Sequence, residues 1–160
     1  MVTELEDAVA APLEVEVGGK KMKLHPLVLN DYGEWDRWAK AQHLKAAAEA
    51  MEIMPAGQRS QNMRDAHVAA TRIYWGSPHA MGVLLSISGR VQTAYLALRH
   101  FAPDLTADAL WDMLSPGGKP DFAKLNELYV EALRISGYES KDSDGAANPQ
   151  DAVMAILNMV

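Results

Sequence analysis

The 160-residue chain contains no cysteine, which excludes disulfide staples, thiolate nucleophiles and cysteine-ligated metals, and suits a reducing compartment. It has no run approaching the roughly 20 apolar residues of a membrane-spanning helix. Its first residues, with Glu4, Glu6 and Asp7, offer neither the basic region nor the apolar core of a signal peptide. A soluble, intracellular protein is the expectation, with no membrane partner. The five histidines, His25, His43, His67, His79 and His100, form no HxH or HExxH pair, so zinc or iron ligation has no support from spacing. Ser86 and Ser88 lie in an apolar helical pattern and not in a GxSxG elbow. Gly18-Gly19-Lys20-Lys21 lacks the GxxxxGK[ST] frame of a phosphate loop. No catalytic, cofactor-binding or metal-ligating residues are therefore assigned.

Net charge is −6 and unevenly spread. Residues 1–19 carry five acids and no Lys or Arg; residues 20–100 carry eleven basic and six acidic residues; residues 101–160 carry four basic and ten acidic ones. The positive middle is a weak argument for nucleic acid, because its basic residues are scattered among acids without stacking aromatics. Four tryptophans and nine methionines give adaptable apolar surface of the kind that holds several partners. Filling a helical core is the plainer use of any one of them.

The clearest local structure is a β-hairpin around Gly18-Gly19, a pair that supplies the two positive φ angles of a tight turn. In the register this turn sets, Val17 faces Lys20, Val15 faces Met22 and Leu13 faces Leu24. Glu16 then meets Lys21 and Glu14 meets Lys23 on the other face, so apolar and charge pairing agree. Two strands alone are marginal, and the apolar face has to rest on helices or join another sheet.

Beyond His25-Pro26 the pattern is helical. A first, alanine-rich helix is expected from about Asp31, with Asn30 or Asp31 as cap, to Met54, ended by Pro55 and Gly57. Asp31, Glu34 and Asp36 at its start are explained by capping and the helix dipole. A second is expected from near Ser60 to Gly76, with Met63, Ala66, His67, Ala70, Ile73 and Tyr74 on one face. A third, from Pro78 to Phe101, is the most apolar and is expected to be central; its stripe of small residues, including Gly82, Ser86 and Gly89, suits tight packing. A fourth opens at Thr106 with Leu105 placed to pack on Leu110. A fifth presents Phe122, Leu125, Leu128, Tyr129 and Ala132 on one face and ends at Gly137.

The segment 138–148 has almost no apolar content and reads as a polar linker. After it, Asn148 and Pro149 can start a last helix whose Val153, Ile156, Leu157 and Val160 fall at i, i+3, i+4 and i+7. So short a helix is barely stable alone in water. Burying each of the four side chains contributes roughly 1.5–3 kcal/mol, enough to favour docking on its own domain or in a groove on a partner.

Two regions resemble a known family. The basic hairpin strand, the Pro26-Leu27-Val28-Leu29 step, the polar cap and the acidic helix with Trp35 and Trp38 look like the start of tail assembly chaperones of long-tailed bacteriophages. Residues 105–138, a helix, a break and a helix ending in a small residue and Gly137, resemble the way such proteins often finish. The resemblance implies a non-catalytic protein in the cytoplasm of the infected bacterial host, which coats the tape measure protein and recruits tail tube subunits. It implies no catalytic residue, and it does not extend to residues 138–160.

The sequence thus predicts a mainly α fold: an acidic, flexible N-terminus (1–12), a hairpin plus about five helices (13–137), a polar linker (138–148) and a C-terminal docking helix (149–160). Partner binding is assigned to Val153, Ile156, Leu157 and Val160, then to the hairpin edge at Val15 and Met22, with homo-oligomerisation left open. The rival function is a structural virion or adaptor subunit that uses the terminal helix as an arm to its neighbour.

Overall fold

The structure, a computed structural model, describes residues 11–138. The terminal helix expected at 149–160 and nearly all of the linker lie outside the described residues. Within them the chain is mainly helical with an N-terminal antiparallel hairpin.

Strands β1 (Leu13–Val17) and β2 (Lys20–Leu24) pair in the predicted register, from Leu13 opposite Leu24 to Val17 opposite Lys20. Gly18 and Gly19 sit at φ +56° and +77°, the two positive angles that a primed turn requires. Exposure alternates along β1 and from Lys21 to Leu24 of β2, and Val17 and Leu24 are fully buried. The hairpin thus lies as a lid on the helices, with its charged face in solvent. A hydrogen bond of 2.9 Å from the His25 amide to the Ala97 carbonyl ties its end to the helical body.

Helix α1 (Leu29–Glu52) begins two residues earlier than predicted. Neither Asn30 nor Asp31 is its cap: Val28 takes that position, and Asp31, one turn in, accepts the Val28 amide at 2.9 Å. The carboxylate serves the helix start from inside, the reciprocal half of a capping box. Helix α2 (Ala56–Ala70) starts directly after Pro55, four residues before the expected Ser60, with Pro55 at the N-cap in an extended conformation (φ −56°, ψ 139°). It ends at Ala70, six residues short of Gly76. Residues 71–76 instead form a turn that buries Ile73 and brings Trp75 back to the body.

The predicted third helix is two. After a 3-10 turn at Pro78–Ala80, α3 (Met81–Leu85) and α4 (Ile87–Leu98) meet at Ser86, whose backbone is extended (φ −65°, ψ 159°). Ser86 Oγ accepts the Gly89 amide at 3.0 Å and donates to the Val83 carbonyl at 2.6 Å, so it caps α4 while closing α3. Gly89 makes the corner feasible, since a Cβ there would stand 1.9 Å from the Val83 carbonyl oxygen. Helix α4 is central as expected: Val91, Ala94, Leu96 and Leu98 are buried, and so are Gly89, Thr93 and Ala97 of the small-residue stripe.

Thr106 caps α5 (Ala107–Met113) by accepting the Ala109 amide at 3.1 Å. A 3-10 turn at Pro116–Gly118 leads to α6 (Phe122–Ile135), capped by Asp121. Helix α6 buries Leu125, Leu128, Tyr129, Ala132, Leu133 and Ile135 against α4, while Phe122, at its first position, stays half exposed. It closes at Gly137 (φ +91°), with the amides of Gly137 and Tyr138 bonded to the carbonyls of Arg134 and Leu133. That is the paired pattern of a Schellman motif.

Candidate functional site

The acidic start of α1 is the densest cluster of titratable groups, and its bonds are structural. Asp31 is fully buried; besides the Val28 amide, it takes Arg99 Nη2 at 2.7 Å and has His100 Nε2 at 2.8 Å. Burial alone would raise its pKa, but the Val28 amide, His100 and Arg99 outweigh that and hold it below the usual carboxylate value. Arg99 also bonds Glu34, whose pKa is lowered chiefly by that bond. Burial would pull the Arg99 guanidinium down, yet the two carboxylates push it up. Asp36 accepts the Trp75 amide at 2.6 Å. Each acid of the cluster therefore fixes a distant segment to α1.

The histidines divide. His25 and His100, far apart in sequence, stack with ring centroids 4.3 Å apart. His25 Nδ1 lies 2.6 Å from the Pro26 carbonyl and His100 faces Asp31, so both rings are engaged at the junction of hairpin and body. Among the described residues no group of three or more His, Asp or Glu side chains is arranged to hold a metal ion. Ser86 is occupied as a helix cap and is not poised as a nucleophile.

The aromatic residues are the more informative set. Trp75 packs on Tyr32 and Trp35 at 5.0 and 5.1 Å, and its indole N–H donates to the Tyr138 hydroxyl at 2.7 Å. Tyr138, which the composition places at the head of the linker, is therefore part of the body. Trp35 is fully buried and touches Trp38 at 6.0 Å. From Trp38 the cluster opens to the surface.

There α1, α4 and α5 diverge and leave a half-open groove of about 500 Å³. Trp38 and Gln42 form one wall, Ala107, Asp108 and Trp111 the other, and Ile87, Ser88, Val91 and Gln92 the floor. Its position follows from the corner at Ser86: a continuous third helix would carry Ile87 along the same axis as Leu84, whereas the bend leaves Ile87 half exposed while Leu84 is buried. Indole and aliphatic surface interspersed with the Gln42 and Gln92 amides, the Ser88 hydroxyl and the Asp108 carboxylate suits a chain segment that presents both apolar side chains and polar groups. A second, smaller cleft of about 360 Å³ lies between α1 and α2, beside Met51 and Met63.

Val15 and Met22 are partly buried and pack against the core with their side chains turned inward. The exposed surface of the hairpin is its charged face and the backbone edges. Val153, Ile156, Leu157 and Val160 lie outside the described residues. Sequence reasoning named Trp38 at the helix start, counted Trp111 only as one of four tryptophans, and gave Gln42, Gln92 and Asp108 no part in a site. The signal was the Ser86-x-x-Gly89 spacing, a helix start written inside an apolar run.

Comparison with protein-family models, with curated proteins and with solved structures returned no match. No helix among the described residues is long and apolar enough to cross a membrane.

Proposed function

We propose that this protein is a non-catalytic tail assembly chaperone of a long-tailed bacteriophage, which binds the tape measure protein and recruits tail tube subunits in the cytoplasm of the infected bacterium. The observation that carries the reading is the open groove between Trp38 and Trp111. It supports binding over catalysis because the titratable clusters elsewhere are used to join segments of the fold. The family resemblance of the hairpin with α1, and of α5 with α6, supplies the identity of the client.

The physical logic is consistent with that role. A tape measure protein presents long apolar helical segments, and a chaperone has to cover them reversibly. Two indole walls and an Ile87–Val91 floor offer large, rigid contact area with little loss of side-chain freedom. Gln42 and Gln92 offer amide groups to a client whatever its sequence. Release then needs only competition or dissociation.

The test is affinity capture of the tagged protein from cells producing the native particle, with Trp111→Ala in parallel. A long, tape-measure-like protein should copurify with the wild type and be depleted with the variant. Recovery of only mature particle proteins would refute the chaperone reading and favour the structural or adaptor subunit.

A further inference from the structure

We propose that the groove between Trp38 and Trp111 takes a guanidinium group, an arginine side chain that the client carries on an otherwise apolar segment. The inference rests on the reading of this groove as the binding surface, and not on which protein the client is.

The polar groups of the groove share one property. Asp108, Gln42, Gln92 and Ser88 can each present an acceptor oxygen, and no Lys, Arg or His lines the groove. The described ion pairs join Arg99 to Asp31 and Glu34, His100 to Asp31, Lys124 to Glu127 and Arg134 to Glu131, so Asp108 belongs to none of them. Its place in the first turn of α5 suits the helix dipole, which accounts for the carboxylate but not for its surroundings. Gln92 is the independent sign. It lies in the central helix α4, is only 9% exposed, lines the groove, and makes no hydrogen bond to another described residue. A buried amide without a partner is costly, and a donor that enters the groove recovers that loss.

The indoles make the donor a cation. Tryptophan is the best ring for cation–π contact, yet the described contacts use other rings: Arg90 over Tyr129 at 5.7 Å, Arg99 over Tyr95 at 6.0 Å and Lys23 over Phe101 at 5.9 Å. Trp35 is fully buried, and Trp75 is occupied by Tyr32, Trp35 and Tyr138. Trp38 and Trp111 are half-buried and line a groove that contains a carboxylate. A guanidinium matches all of these features at once. It is planar and stacks on indole, it has five donors and no acceptor, and its weak hydration makes entry into an apolar groove less costly than for an ammonium. Ile87 and Val91 on the floor then meet the aliphatic stem of the arginine and its apolar neighbours. The cleft between α1 and α2 lacks this bias: no aromatic residue lines it, and its Glu52 stands with Arg59, which already donates to the carbonyls of Met54 and Glu52.

The probe is N-acetyl-arginine N-methylamide, with its neutral isostere N-acetyl-citrulline N-methylamide as control. Both are added to the full chain and followed by the indole N–H resonances, assigned through Trp38→Phe and Trp111→Phe. The arginine derivative should shift the Trp38 and Trp111 signals saturably and leave that of Trp75 in place as a control of folding. The citrulline derivative should bind at least about threefold more weakly. Asp108→Asn should bring the arginine affinity down to that of citrulline, and Trp111→Ala should weaken both. Equal affinity of the two derivatives in the wild type, an Asp108→Asn chain that binds arginine unchanged, or the absence of a saturable shift would each overturn the proposal. Capture of the client separates this inference from the function proposed above. A client lost with Trp111→Ala but retained in full with Asp108→Asn would leave the groove as the binding surface and remove the arginine from it. Arginine selectivity without any captured tape-measure-like protein would support the site and refute the chaperone reading.

Discussion

Helices α2 and α6 are nearly the same length, 15 and 14 residues, and are held by different physics. Helix α6 turns a continuous apolar face into the body and buries five large core side chains and Ala132 against it. Helix α2 buries only Ala66 and Ala70, and its principal packing partner is the second half of α1. Its remaining support is local: Arg59 donates to the carbonyls of Met54 and Glu52 at the end of α1, and Gln61 bridges to Asp65 and Arg64. The body is therefore cooperative, and the α1–α2 arm is a helical hairpin whose stability is close to that of its own short-range contacts. Tertiary burial, not helix length, separates the two.

The largest effect that would sharpen this contrast is expected from Leu128→Ala. Leu128 is fully buried in α6, and truncating such a leucine removes transfer energy and leaves a cavity, a loss of about 2–5 kcal/mol. Urea unfolding should show that loss as a lower midpoint with the slope unchanged, the mark of one cooperative unit. Separate transitions for α4 and α6 signals in the wild type would break the picture of a single cooperative body.

Next comes the corner at Ser86. Gly89→Ala places a methyl where the Val83 carbonyl oxygen already stands, 1.9 Å away, and the α3–α4 backbone has to move. Overpacking of this kind costs about 1–3 kcal/mol. Gly82→Ala, seven residues earlier in α3 with open space around the new methyl, should stabilise by up to about 1 kcal/mol. Equal outcomes for the two glycines would mean that the corner is not a tight contact.

Asp31 gives the body a pH dependence that α2 does not share. Its folded pKa lies below the usual carboxylate value, so its stabilisation is fully present above about pH 4 and is lost as pH falls through the folded value. Glu34 acts in the same direction. Asp31→Asn should lower stability at neutral pH by about 1.5–3 kcal/mol, the range for hydrogen bonds to a charged group. It should also flatten the acid limb of a stability–pH curve. A curve as steep as that of the wild type would place the acid-sensitive groups elsewhere.

These contrasts also explain what the sequence disclosed. The hairpin register was legible because two independent constraints, apolar pairing and charge pairing, selected the same alignment. Thr106 and Gly137 were legible because a cap is a local contest between one side chain or one φ angle and the backbone. The corner at Ser86 was hidden because Val83, Leu84, Ile87 and Val91 keep helical spacing across it, and only the Ser86–Gly89 pair marks the break. The bonds of Asp31 to Arg99 and of Asp36 to Trp75 span 68 and 39 residues, and no local rule sets such separations. The groove was hidden for the same reason, since Trp38, Ile87 and Trp111 converge only when the corner turns α4 away from α3.

Within the arm, Met51→Ala should cost less than Leu128→Ala, about 2 kcal/mol or less. Met51 is buried, but the site lies beside a surface cleft that can close over the gap. Its effect should be local. Amides of α2 should exchange faster than those of α4 and α6 in the wild type and faster still in the variant, with exchange in α4 and α6 unchanged. Equal acceleration throughout the chain would show that arm and body unfold as one.

The smallest effect is expected at the tip of the arm. Ile53 is 91% exposed where α1 ends, so Ile53→Ser removes almost no buried area and should change stability by less than about 0.5 kcal/mol. The near-zero value is informative because the same class of change, a large apolar side chain reduced to a small polar one, is expected to have a very different effect at Ile87. There the side chain lines the groove and is 49% exposed, with the rest of its surface packed on the body. Ile87→Ser should therefore destabilise the chain measurably, by about 1 kcal/mol, for the half of the side chain that is buried. Matching effects of Ile53→Ser and Ile87→Ser would mean that both residues face solvent and that Ile87 adds nothing to the groove floor.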